Sequence, residues 1–177
     1  MLRLDSRLES WIVAHRLGAL DPVARALTFI GTDGAVWLVL ALLLALLWRK
    51  PRLAVAVALA DLVADLTTTA LQALIGRRRP DVPTLVSRPH SYSFPSGHAA
   101  TSFACAVVLG SFVPRLRVPA LLLAAAIAWS RLYVGVHYPL DVAAGALYGA
   151  AVGLAVLRGL PRLAECRRRS RRARRSG

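Results

Sequence analysis

Five apolar stretches follow one another along this chain, each closed by arginine or a polar turn, and that succession limits the possible folds more than any other feature. Residues 35–48 carry no charge and end at Arg49-Lys50-Pro51-Arg52. Residues 53–76 are apolar apart from Asp61, Asp65, Thr67, Thr68, Thr69 and Gln72. Residues 99–114 are again charge-free up to Arg115 and Arg117, residues 118–135 are broken only by Ser130 and Arg131, and residues 142–157 end at Arg158. One such stretch could be a core helix of a soluble domain; five in a chain of 177 residues could not all be buried in one. Hydrophobic residues make up 56% of the chain, above the ~45–50% of soluble domains, which also excludes disorder. Each stretch falls somewhat short of the ~20 residues of a full crossing, so flanking groups and snorkelling arginines must supply the rest.

The expected fold is therefore an all-α integral membrane helical bundle of about five spanning helices, because helices satisfy their own backbone hydrogen bonds in hydrocarbon. Ahead of it, Leu4, Leu8, Trp11 and Ile12 recur at helical spacing and predict an N-terminal amphipathic helix lying in the interface. Asp21-Pro22 opens a second short helix to about Ile30. A sixth crossing over residues 11–31 would carry His15, Arg16, Asp21 and Arg25 into the bilayer at high cost. This divides the chain into an interfacial segment (1–33), a membrane domain (34–158) and a basic tail (159–177), the last expected to be disordered. If the crossings alternate, the basic segments 49–52 and 115–117 and the tail share one side, which the positive-inside rule makes cytoplasmic. Residues 77–98 and 131–141 then face outside, in a location expected to be a prokaryotic plasma membrane.

Residues 158–177 hold nine arginines and one glutamate out of a net charge of +14. This suits attraction to anionic lipid; without aromatic stacking groups, no nucleic-acid partner is expected. Cys105 lies in an apolar stretch and Cys166 in the tail, so a disulfide is not expected. Neither a heptad nor a small-residue helix interface stands out to specify an oligomer.

The two outward segments hold nearly all the unusual polar residues. Arg77, Arg78 and Arg79 stand where the positive-inside rule disfavours them, and guanidinium forks suit phosphate oxygens. Pro95-Ser96-Gly97-His98 precedes an apolar helix: Ser96 can cap it, Gly97 admits a ligand close to the backbone, and the helix N-terminus favours an oxyanion near His98. Pro139 fits the first turn of the last helix, with Asp141 four residues after His137 and able to bond one imidazole nitrogen, leaving the other as a nucleophile. A cap role alone would also account for either motif. Together they supply phosphoryl transfer, with His137 attacking phosphorus and His98 protonating the leaving oxygen. A metal held by His98, His137 and Asp141 is the competing use, opposed by the positive charge of Arg79 and Arg131. Asp61, Asp65, Thr68 and Gln72 fall on one helical stripe, either as structural hydrogen-bonding groups or as a polar track to the pocket and counter-charge for Arg77 or Arg78.

At these residues the chain resembles the phosphatidic acid phosphatase type 2 superfamily of lipid phosphatases and vanadium-dependent haloperoxidases. Its signature reads Lys, six residues, Arg-Pro; then Pro-Ser-Gly-His; then Ser-Arg, five residues, His, three residues, Asp. The second part is complete at Pro95–His98 and the third at Ser130, Arg131, His137 and Asp141; the first has Arg79-Pro80 but Gln72 in place of lysine. The resemblance implies a helical bundle with a phosphate pocket at its outer end. It assigns His137 as nucleophile, Asp141 as its orienting partner and His98 as general acid. Arg79, Arg131, Ser96 and Gly97 become phosphate ligands, with no metal or other cofactor. Gln72 can donate a hydrogen bond there but brings no charge, which Arg77 or Arg78 could supply. The expected substrate is an amphiphile, a polyprenyl diphosphate or polyprenyl-linked phosphate first, with phosphatidic acid or phosphatidylglycerol phosphate as the alternative. A vanadate-dependent halide oxidation and a non-catalytic membrane protein that binds lipid headgroups are the rival readings.

Overall fold

The computed structural model describes residues 2–173, with side chains over residues 3–160. All regular structure among the described residues is helical. Two short helices, α1 (Leu2–Ala14) and α2 (Asp21–Ile30), precede α3 (Ala35–Leu47), α4 (Pro51–Ile75), α5 (Gly97–Phe112), α6 (Arg117–Tyr133) and α7 (Pro139–Ala173). Three segments are long and apolar enough to cross a membrane, Pro51–Ile75, Pro114–Tyr133 and Pro139–Leu160. A fourth crossing results if Gly18–Ile30 and Thr32–Leu47, bent by 62°, count as one. The protein is an integral membrane protein. The backbone of α7 continues past Arg158, while the side chains of the basic tail lie outside the described residues.

Helix α5 is the axis, packed against α3, α4, α6 and α7. Its 16 residues are fewer than those of α4, α6 or α7, and those from Ala99 to Gly110 are mostly buried. The core is built from small side chains such as Ala56, Ala60, Ala64, Ala104 and Ala124, whereas Leu42, Leu46, Leu62, Leu66, Leu147 and Leu154 point outward. Large apolar groups outside and small ones inside suit a bilayer, where close approach of backbones drives helix packing. The contact of α5 with α7 is the tightest case. A Cβ on Gly145, Gly149 or Gly153 would stand 2.5, 2.0 and 2.7 Å from the carbonyl oxygens of Ser96, Ala100 and Ala104. The small residues of α7 are thus used within the chain, against α5.

Helix α1 forms as the spacing predicts, but its faces are assigned differently from a simple interfacial helix. Leu4, Leu8 and Trp11 are exposed, while Asp5 and Glu9 are buried against the bundle. The following segment is tied over the end of α6: Arg16 Nε donates to the Tyr133 carbonyl at 2.6 Å, and Nη1 to the Pro83 carbonyl at 2.8 Å. At this same end the last turn of α4 stops at Gly76, whose φ of +64° is the left-handed closure glycine provides. The ends of α4 and α6 and the starts of α5 and α7 thus meet around loops 76–96 and 134–138.

Candidate active site

A cavity of about 200 Å³ opens at this end, and its walls include Gln72, Arg79, Gly97, His98, Arg131 and His137. Six of the residues singled out by sequence therefore converge, from helices α4, α5 and α6 and both loops. Asp65 and Thr68 of the α4 stripe line it as well, as does Asp33 from the turn before α3. The polar stripe does reach the pocket. Asp61 lies deeper, within 3.8 Å of Cys105 Sγ.

Local backbone chemistry sets the two motif helices together. Helix α5 starts one residue after Ser96, and the Ser96 amide donates to the Asp141 carbonyl at 3.0 Å, joining the starts of α5 and α7. Ser96 occupies the cap position, but its hydroxyl makes no cap hydrogen bond. Its Oγ is instead one of four buried polar atoms here without a protein partner; the others are Thr68 Oγ1, Arg131 Nε and His137 Nδ1. Buried polar atoms are normally paired, so this concentration marks a site built to engage a polar ligand.

His137 is 2% exposed. Arg79 Nη1 lies 3.0 Å from His137 Nε2. Arginine can only donate, so Nε2 must present a lone pair and the ring proton sits on Nδ1. Nδ1 is 3.5 Å from Asp141 Oδ2, at the edge of hydrogen bonding. Burial, followed by the nearby Arg79 and Arg131 charges, holds the imidazole well below its usual pKa and keeps it neutral. His98 Nε2 is 3.2 Å from the Thr28 carbonyl, which leaves Nδ1 as its nitrogen for proton exchange. The Thr28 hydroxyl is 2.8 Å from that of Ser130, so α2 supports both motifs.

Arg79 donates through Nε to the Ser91 carbonyl at 2.8 Å, through Nη1 also to the Val136 carbonyl at 2.9 Å, and through Nη2 to Ser91 Oγ and the Tyr92 carbonyl. It clamps both loops while resting one N–H on the His137 lone pair. Burial pushes its pKa down to about 10, so it stays charged at neutral pH. Gln72 Nε2 donates to the Pro95 carbonyl at 2.8 Å, bracing the loop before α5 from the pocket wall.

The other two arginines of the triplet lie elsewhere. Arg78 is exposed, and its carbonyl accepts from Ser93 Oγ at 3.1 Å. Arg77 donates to Asp141 through Nη1 and to Asp5 Oδ2 through Nη2 at 2.5 Å. The counter-charges of Arg77 are thus Asp5 and Asp141, correcting the idea that the α4 carboxylates balance it. Neither Asp5 nor Thr28 belongs to a motif; the one available signal for Asp5 was a carboxylate interrupting an apolar helical spacing.

Known proteins resemble this chain in sequence and in fold. Decaprenylphosphoryl-5-phosphoribose phosphatase of Mycobacterium tuberculosis is 39% identical over 137 residues, covering 75% of this chain and 76% of that protein. The PAP2-type phosphatidylglycerolphosphate phosphatase of Bacillus subtilis superposes with a TM-score of 0.76 at 26% identity, over 91% of this chain and 86% of that one. Aquifex aeolicus LpxE gives a TM-score of 0.73 at 29% identity, over 86% of this chain and 93% of its own. The PAP2 superfamily family model matches residues 35–164, a span that holds α3 to α6 and every motif residue of the pocket; the chain belongs to the PAP2 superfamily.

Proposed function

We propose that this protein hydrolyses the phosphate of a membrane lipid through a phosphohistidine, with a polyprenyl-linked phosphate or diphosphate as the favoured substrate. One observation carries the reading: a buried neutral imidazole, His137, presents its Nε2 lone pair to a pocket bounded by Arg79, Arg131, Gln72 and His98. Relatives that act on lipid phosphates support the substrate class, and the Mycobacterium tuberculosis relative acts, by its name, on a decaprenyl-linked phosphosugar. The Bacillus subtilis structure favours phosphatidylglycerol phosphate as the second choice.

In the first step His137 Nε2 forms a bond to phosphorus while the bond from phosphorus to the leaving oxygen breaks. The leaving oxygen takes the bonding electron pair and a proton from Nδ1 of His98, which enters the step doubly protonated beside the phosphate dianion. Once the His137 lone pair is engaged, Arg79 Nη1 is released to a phosphoryl oxygen. Arg131 Nε, Ser96 Oγ and the Gly97 end of α5 supply further donors or dipole. In the second step water attacks phosphorus and gives its proton to His98, and the P–N bond electrons return to His137.

The remaining expectations join this proposal. The short helices α3 and α5 complete a five-span bundle over residues 34–158, α1 lies in the outer interface within segment 1–33, and the pocket faces outside. The tail from 159 binds anionic lipid on the cytoplasmic side. The test is phosphate release in detergent from polyprenyl phosphates, polyprenyl diphosphates, phosphatidic acid and phosphatidylglycerol phosphate, with chelator present. Wild type should turn over and His137→Ala should lose activity by at least about three orders of magnitude; activity retained in the variant rejects the mechanism.

A further inference from the structure

Asp5 lies in α1, outside the span matched by the family, yet it is 6% exposed and reaches the edge of the active site. Its Oδ2 accepts from Arg77 Nη2, and its Oδ1 accepts from the Leu140 amide at 2.9 Å, in the first turn of α7. Arg77 also donates to Asp141, whose other oxygen accepts from the Tyr138 amide at 3.0 Å and faces His137. The guanidinium carbon of Arg77 sits 4.2 Å from the centre of the Tyr138 ring, which fixes the fork from a further side. Four buried or nearly buried side chains thus form a line, Asp5–Arg77–Asp141–His137, that ends on the attacking imidazole. All lie in a region where charges are weakly screened.

Charge along this line matters to the reaction. When Nε2 bonds to phosphorus, the His137 ring keeps its Nδ1 proton and becomes cationic. A carboxylate beside Nδ1 stabilises that cation. Arg77, however, sits on the same carboxylate and would cancel it. Asp5 balances Arg77, so the group of Asp5, Arg77 and Asp141 keeps one net negative charge next to the ring. Arg77 is occupied on two sides by this duty and does not line the cavity.

We propose that Asp5 and Arg77 are positioning residues for the phosphatase reaction: Arg77 orients Asp141, and Asp5 restores the negative potential that lets Asp141 stabilise the cationic phosphohistidine ring. Helix α1 is then part of the catalytic apparatus. The inference rests on the phosphohistidine reading above but fails separately from it, because wild-type turnover and its loss in His137→Ala test that reading alone.

The experiment is a double-mutant cycle on turnover in detergent, using a lipid phosphate that the wild type hydrolyses, with inorganic phosphate as a competitive inhibitor. Asp5→Asn keeps the shape and the acceptor for Leu140 but removes the charge. It should lower kcat about tenfold, with KM and the phosphate inhibition constant within about twofold of wild type. In an Asp141→Asn background the same change should have a clearly smaller effect, because the carboxylate that Arg77 would neutralise is already gone. Arg77→Gln should likewise reduce kcat while leaving phosphate inhibition intact. Equal, additive losses from Asp5→Asn in both backgrounds would reduce Asp5 to an anchor for α1 and overturn the proposal. So would weakened phosphate inhibition in Arg77→Gln with kcat preserved, which would make Arg77 a phosphate ligand. A readout independent of turnover is the ring nitrogen NMR of His137 in histidine-labelled protein. Asp5→Asn should shift it when Asp141 is present and shift it less in Asp141→Asn; an equal shift in both backgrounds counts against the relay.

Discussion

Glu9 is fully buried in α1, and neither of its carboxyl oxygens has a protein hydrogen-bond partner. Burial is the main cause that raises its pKa to about 8, with the Asp141 and Asp5 charges adding to it and Arg16 opposing. The unfolded carboxyl titrates near 4.5. Because the folded value is the higher one, the stability that Glu9 contributes is fully present below about pH 4.5 and is lost as pH rises through about 8. Glu9→Gln removes that dependence. Melting in detergent should show the variant gaining on wild type between pH 6 and pH 9; parallel curves would show that Glu9 does not titrate in this range. At this scale the motif residues were legible, because His98, His137 and Asp141 have a chemistry that spacing alone suggests. Asp5, Glu9 and Thr28 were not: an acid among leucines reads as the polar face of a surface helix until the bundle against which it packs is known.

At the scale of the element, the contact between α5 and α7 holds the site. His98 stands at the start of α5 and Asp141 in the first turn of α7, so any separation of these helices moves the proposed general acid against the partner of the proposed nucleophile. Gly149 faces the Ala100 carbonyl, a backbone atom that cannot rotate away. Gly149→Ala should therefore destabilise the protein by about 1–3 kcal/mol and reduce turnover. Gly159→Ala on the same helix meets nothing within 4 Å and should be neutral or slightly stabilising. Thermal unfolding of the two variants in detergent tests the pair, and equal melting points would refute the close contact. The helices themselves were readable from apolar runs and breakers, including α2 over Asp21–Ile30 and the start of α7 at Pro139. Their lengths were less so: α4 begins at Pro51 and α7 continues past Arg158, since a lone arginine near a helix end can snorkel and need not end the helix.

For the whole molecule, the proposed topology places loop 76–96 outside and the turn between α5 and α6 inside. Asp81 is a suitable reporter, with its side chain fully exposed in the outer loop, and Arg115 is its counterpart. In a Cys166→Ala background, with Cys105 buried, a membrane-impermeant maleimide should label Asp81→Cys in intact cells. It should reach Arg115→Cys only after lysis. The reverse pattern would put the pocket on the cytoplasmic face. A bilayer protein, a polar pocket and its two histidines follow from the chain's own order of residues, because hydropathy and motif spacing act locally and survive without knowledge of packing. Which carboxylates are buried against the bundle, and that Arg77 serves Asp141 while Arg79 meets His137, depends on how α1, α4, α5, α6 and α7 converge. Contacts between residues such as Asp5 and Leu140 arise from closure of the fold, and no local pattern encodes them.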